Sequence, residues 1–289
     1  MTLEQLRIFV VVADCLNMTR AAQTLNLTQP SVSAAIAALE GRHKLQLFDR
    51  VGRGLELSEA GRVFLTEARA VLASAQNAAS ALDDLAGLRR GSLRIAASQT
   101  VATYWLPARM ARFAEIWPAI SVVLEVSNTR EAGAAVLAGN ADLGFVEGEV
   151  NEPLLDHQIV GGDCLGLFAR GDHPLFANKP SERDLQSAAW VMRERGSGTR
   201  THLAEALGNV GLAIGDLHVR LELPSNGAVL EALAAGGMIG AVSVLAAASR
   251  IAAGQIARLE WAFPPRPFTR LRHRARRMSN AAEAFLQVC

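Results

Sequence analysis

From Ser58 to about Gly87 the chain repeats Phe64, Ala68, Val71, Ala75, Ala78, Leu82 and Leu85, spaced alternately by four and three. At 1.5 Å per residue this predicts one helix of ~40 Å with an apolar seam, the pattern a helix uses to pair with another. The numerous alanines would let a partner approach closely. A seam that packs only on its own domain stays the alternative. Either way, so long a helix divides the chain into a short front and a long back, which predicts several domains. The length of 289 residues allows them.

The front reads as short helices and a hairpin. Leu3, Leu6, Phe9, Val10 and Ala13 share one helical face. Thr19 is a candidate cap for a second helix over 20–25, and Thr28 for a third with Pro30 in its first turn. In that third helix Val32, Ile36 and Leu39 fall inward, leaving Gln29, Ser31, Ser33 and Ala34 outward. Leu47-Phe48-Asp49-Arg50 and Leu55-Glu56-Leu57 flank a glycine turn at 51–54, a strand–turn–strand pattern.

The texture changes at Gly87–Gly91. Strands are expected at 93–96, 121–126, 142–146, 164–169, 190–193, 218–223, 238–242 and 269–274. Helices are expected from the first strand to Trp117, over 130–138 and over 280–288. Strand–helix–strand order predicts parallel sheets covered by helices, and two such units with a cleft between them suit a ligand clamp. Three polar stretches follow strands or open helices: Ser98-Gln99-Thr100, Arg195 to Arg200, and Ser225-Asn226-Gly227. Hydroxyls and free amides at helix N-termini bind anions, and strand carboxyl ends are where ligands collect. Glu147 closes the third strand and is expected to face the cleft. There it would disfavour a naked dianion, and would suit a protonated anion, a ligand with its own donor, or pairing with Arg195 or Arg200; an exposed loop glutamate is the bland alternative. The arginine-rich run 266–277 reads as an edge strand with a solvated charged side.

Thr19-Arg20-Ala21-Ala22, Leu27 to Ser33, Leu39-Glu40 and Leu47 to Arg50 together resemble the signature of LysR-type transcriptional regulators, and the likeness continues through the whole chain. The resemblance implies an α+β multidomain protein. A winged helix-turn-helix over 1–57 would be followed by a dimerising linker helix over 58–87 and a hinge at 88–91. An α/β, periplasmic-binding-protein-like effector domain would fill 92–289, with subdomain I at 92–161 and 266–289 and subdomain II at 162–265. It places Thr28, Gln29, Ser31 and Ser33 at the DNA groove and Arg50 and Arg53 in the wing, chemistry suited to base edges and phosphates. Ala34 and Ala35 stand where family members often carry Arg and Gln, so DNA shape would carry more of the specificity. Ser98, Gln99, Thr100, Glu147, Arg195, Ser197, Thr199 and Asn226 are the effector-site candidates. Ser98-Gln99-Thr100, Phe145 to Gly148 and 193–200 resemble a branch linked to sulfur assimilation that senses small sulfur oxyanions. A small organic acid, supported by Tyr104 and Trp105, is the alternative. The expected partners are promoter DNA, the effector, RNA polymerase and further copies of the chain as a homodimer or homotetramer.

Other functions fit poorly. A formal charge of +1 argues against coating nucleic acid by charge alone. Three cysteines without metal-ligand spacing, and a start lacking a signal-peptide pattern, lead to the expectation of a cytoplasmic protein without metal, cofactor or membrane span. Gly196-Ser197-Gly198 is not a nucleophile elbow. The six histidines form no H-E-x-x-H pattern, and the glycines at 236–240 run into a strand rather than a helix. No catalytic residue is expected. A free solute-binding protein is the remaining rival.

Overall fold

The structure, a computed structural model, describes residues 1–51, 54–85, 91–148 and 150–289, and their side chains except at 51, 76, 77 and 80–85. Arg53, most of the expected hinge and the side chains of Leu82 and Leu85 lie outside the described residues. The chain divides into two compact units, 1–86 and 87–289, the latter without 138–140.

In the first unit α1 (Leu3–Cys15), α2 (Met18–Leu25) and α3 (Gln29–His43) precede a hairpin of β1 (Phe48–Val51) and β2 (Gly54–Leu57), then α4 (Glu59–Leu85). Thr2 and Gln5 form a capping box on α1, and Thr28 caps α3. The cap of α2 is Asn17 rather than Thr19: its carboxamide accepts from the Arg20 N–H at 3.0 Å, starting the helix a residue before Thr19. Leu6, Phe9, Val12, Ala21, Val32, Ile36 and Leu39 form the core, each large side chain contributing ~1.5–3 kcal/mol by burial. Phe9 packs at a tilt against Phe48 and Phe64, with ring centroids 5.4 Å and 4.8 Å away, tying α1 to the hairpin and to α4. The start of the expected seam is thus consumed within its own unit, since Phe64 and Ala68 face this core while Val71 is exposed.

The second unit begins with β3 (Gly91–Ser98), α5 (Gln99–Tyr104), α6 (Leu106–Ile116), β4 (Ile120–Ser127), α7 (Thr129–Ala138) and β5 (Leu143–Glu147). A single helix to Trp117 was expected; instead the chain breaks at Trp105 and restarts with Pro107 in the first turn of α6. Proline has no N–H to continue the earlier helix. Next come β6 (Leu155–Ala169), α8 (Glu182–Ser187), β7 (Ala189–Arg193), α9 (Gly198–Gly208), β8 (His218–Leu223), α10 (Asn226–Ala235), β9 (Gly240–Ser243), α11 (Val244–Ala252), β10 (Ala257–Leu259), β11 (Pro265–His273) and α12 (Asn280–Leu286).

Strands β4, β3 and β5 are parallel, but the sheet is mixed, because β11 enters antiparallel between β5 and β6. The edge-strand expectation for 266–277 is therefore wrong. Arg266 and Arg270 are buried rather than solvated, and Arg276 donates to the Val136 and Leu137 carbonyls near the end of α7. Strand β6 is long enough to serve both halves of this unit. Its first part pairs with β11, and its last part lies between β10 and β9 in the second half, beside the parallel pair β7–β8. Separate apolar clusters fill the halves, one around Phe113, Phe145 and Phe285, another around Trp190, Leu203 and Leu207.

Candidate functional site

Two surfaces bear chemistry, one in each unit. In the first, Thr28, Gln29, Ser31 and Arg50 are exposed and Ser33 is half-buried. The Thr28 hydroxyl accepts from the Ser31 N–H at 3.3 Å, and Gln29 Nε2 donates to Ser33 Oγ at 2.8 Å. Their polar atoms form one continuous face on the first turns of α3, while Val32 and Ile36 anchor the opposite side. Glu40 braces the hairpin from behind, its Oε1 accepting from the N–H groups of Leu47 at 2.8 Å and Phe48 at 3.3 Å. At Gly61 a Cβ would lie 2.0 Å from the Leu47 carbonyl oxygen, so only glycine allows α4 to start this close to the hairpin.

In the second unit the ends of β3 and β5 meet the starts of α9 and α10. Glu147 is 1 % exposed, which excludes the loop-glutamate alternative. Its carboxylate accepts from the Ser98 hydroxyl and, at 3.2 Å, from Thr100 Oγ1. Thr100 Oγ1 in turn accepts from Asn226 Nδ2 at 3.1 Å, and Asn226 Oδ1 accepts from Arg193 Nη1 at 2.8 Å. Gln99 reaches across too, accepting from the Asn226 N–H and donating to the Pro224 carbonyl, both at 3.0 Å. The charged neighbour of Glu147 is Arg266, with Nη1 at 3.9 Å from Oε1, and not Arg195 or Arg200. Arg195 is exposed, and Arg200 pairs with Glu222, holding that carboxyl below the usual carboxylate range. Arg200 also donates to the Arg193 carbonyl at 3.0 Å, so neither arginine serves Glu147, which the sequence pattern could not reveal.

The start of α9 is the other wall. Gly198 packs so closely that a Cβ would lie 2.0 Å from the Glu147 carbonyl oxygen and 2.5 Å from Thr129 Oγ1. Thr129 Oγ1 donates to that same carbonyl at 2.6 Å. Thr199 is buried and accepts from Arg266 Nη1 at 3.1 Å. Ser197, also 1 % exposed, keeps a buried Oγ without a hydrogen-bond partner among the described residues. Sequence reasoning missed Thr129 and Arg266. For Arg266 the signal was present as an arginine in an alternating strand, but was read as surface charge. A groove of ≈ 350 Å³ runs alongside, lined by Thr129, Arg130, Gly196, Gly198 and Thr201 among others. Among the described residues no cluster of acidic, histidine and cysteine side chains could hold a metal, and no helix is long and apolar enough to cross a membrane.

A winged helix-turn-helix joined in one chain to a two-lobed α/β domain with a polar cleft defines a ligand-responsive DNA-binding regulator. Residues 3–62 match the bacterial regulatory helix-turn-helix of the lysR family, and residues 86–289 match the LysR substrate binding domain. The chain belongs to the LysR family of transcriptional regulators, whose members act by binding DNA and effectors rather than as enzymes. It is 33% identical over 297 residues to YeiE of Escherichia coli K12, described as an uncharacterized HTH-type transcriptional regulator, across 100% of this chain and 97% of that one. The crystal structure of full-length CbnR with its target DNA shares the fold, with a TM-score of 0.69 and 23% identity over 100% of this chain and 98% of that one. The regulatory domain of CcmR from Synechocystis PCC6803, in complex with 2-PG, gives a TM-score of 0.62 and 30% identity over 68% of this chain and 95% of that one.

Proposed function

We propose that this regulator binds promoter DNA through Thr28, Gln29, Ser31 and Ser33 of α3 and Arg50 and Arg53 of the wing, and that a compact oxyanion held in the cleft modulates that binding. The observation that carries the effector reading is the Ser197 hydroxyl, buried at the N-terminus of α9 and unpartnered among the described residues. A buried hydroxyl without a partner costs ~1–3 kcal/mol, which a ligand accepting from it would recover. The first amides of α9 have no intrahelical partner and favour negative charge. Ser98, Gln99, Thr100, Thr199 and Asn226 complete the polar wall, with Arg195 the weakest of the candidates because it is exposed. Glu147 then selects among anions. Beside a carboxylate, an ion that brings its own proton is accepted and a bare dianion is repelled. Hydrogen sulfite and dihydrogen phosphate satisfy this at neutral pH; sulfate does not.

A small organic acid is the second reading, favoured by the 2-PG found with CcmR. In either case the protein acts in the cytoplasm as a homodimer or homotetramer. Effector binding changes the spacing of its DNA readers and their engagement with RNA polymerase, which requires different effector affinities in the two arrangements. Thermal-shift measurements on the full-length protein with sulfite, sulfate, thiosulfate, phosphate, nitrate and small carboxylates test the reading. Saturation at a hundred times Kd adds ~2.7 kcal/mol of apparent stability. Sulfite or phosphate should stabilise, sulfate should not, and Ser197→Ala should abolish most of the shift. A response to carboxylates alone would establish the second reading instead.

A further inference from the structure

Strands β6 and β11 join the two halves of the effector unit, and Arg266 and Asp163 face each other across them at the crossing. The guanidinium grips the Asp163 carboxylate with two prongs, Nε to Oδ1 at 2.7 Å and Nη2 to Oδ2 at 2.6 Å. A guanidinium is planar and rigid, so this grip fixes where the third nitrogen points. That nitrogen, Nη1, donates to Thr199 Oγ1 at 3.1 Å and lies 3.9 Å from Glu147 Oε1. Thr199 belongs to α9 in the second half, and Glu147 to β5 in the first. One stiff group therefore touches the crossing strands and both lips of the cleft. The Arg266, Asp163 and Glu147 side chains are each no more than 1 % exposed, so water cannot replace a lost partner. Two carboxyl groups, those of Asp163 and Glu147, thus share this one guanidinium.

We propose that Arg266 is a positioning residue that transmits the state of the cleft to the crossing strands, with Thr199 as its contact on the moving lip. The inference rests on the cleft being the effector site, but its test needs no effector. Hydrogen exchange read by mass spectrometry on the full-length protein reports opening of the lips directly. Thr199→Val keeps the side-chain shape and removes the acceptor of Nη1. Exchange in the segments holding Gly148 and residues 198–200 should quicken about tenfold, the equivalent of ~1.4 kcal/mol. Thr199→Ser, which restores the hydroxyl, should return wild-type rates. The β3–β4 pair should not change in either variant, which separates local coupling from general loosening. Arg266→Lys keeps the charge but loses the fork, and should extend the faster exchange to Gly161, Gly162 and Phe268. If Thr199→Val exchanges at the lips like wild type, the coupling is refuted even if Arg266→Lys does not fold. If no anion stabilises the wild-type protein, the effector reading fails while the exchange result still decides the coupling.

Discussion

Thr100→Val offers the most direct test of the buried polar chain in the cleft. Thr100 is fully buried, and its hydroxyl both donates to Glu147 and accepts from Asn226. Valine fills the same volume without the oxygen, so packing is kept while two polar partners are stranded. Losing a hydrogen bond to a charged group costs ~1.5–3 kcal/mol, and a buried donor left unpaired ~1–3 kcal/mol. Glu147 retains the Ser98 hydroxyl, so the sum is best placed at ~3 kcal/mol rather than at the upper limit. The assay is built into the chain. All four tryptophans, at 105, 117, 190 and 261, lie in the second unit, so their emission reports its unfolding and not that of the DNA reader. With a urea slope of ~1–3 kcal/mol per molar, the fluorescence midpoint should fall by ~1–3 M. Thr100→Ser keeps the hydroxyl and gives up one methyl, at a cost of ~1 kcal/mol. A Thr100→Val midpoint within about 0.3 M of wild type, or a Thr100→Ser variant less stable than Thr100→Val, would refute the energetic role of the chain.

Phe9→Ala opens a cavity where three rings meet and should cost ~3–5 kcal/mol, abolishing operator binding in gel-shift assays while leaving the tryptophan midpoint in place. Gly198→Ala drives a methyl into the Glu147 carbonyl; it should keep DNA affinity but lose effector-induced changes in the footprint, and an intact response would show that the lips need not meet so closely. His173 accepts the Leu175 N–H at Nδ1, and burial lowers its pKa, with a nearby aspartate opposing the shift. The folded protein therefore holds fewer protons than the unfolded chain below pH ~6.5, so this contribution is complete above that pH and is lost as pH falls through the lowered value. His173→Asn keeps an acceptor that does not titrate, and should flatten the fall in stability on acidification as followed by urea midpoints.

The elements that sequence made legible are those with local causes. A three-four apolar spacing made α1 and α3 legible, and Thr28 was found as the cap of α3, because both signals act within a few residues; the cap of α2 was placed at Thr19 instead of Asn17. The polar loops stand out because hydroxyls gather directly after strands. Contacts between distant segments were not legible. Whether β11 lies at an edge or in the middle depends on β5 and β6, more than a hundred residues earlier, and this decides whether Arg266 is solvated or buried. Glu147 was placed at its strand end, but its partner was sought among nearby arginines instead of across the sheet. The seam of α4 shows the same limit, since periodicity reveals an apolar face but not which partner covers each part of it.

The position of β11 also imposes an order on synthesis. Its residues complete the sheet by inserting between strands made long before, so the effector unit cannot close until Pro265–His273 has left the ribosome. The helices and hairpin of the DNA-reading unit all lie within the first 86 residues, and like N-terminal domains generally the unit folds first. A nascent or prematurely terminated chain is then a reader without a sensor. A stop codon in the 260s should yield a fragment that occupies operators without answering to any effector, and such alleles would interfere with the intact protein rather than simply lose function.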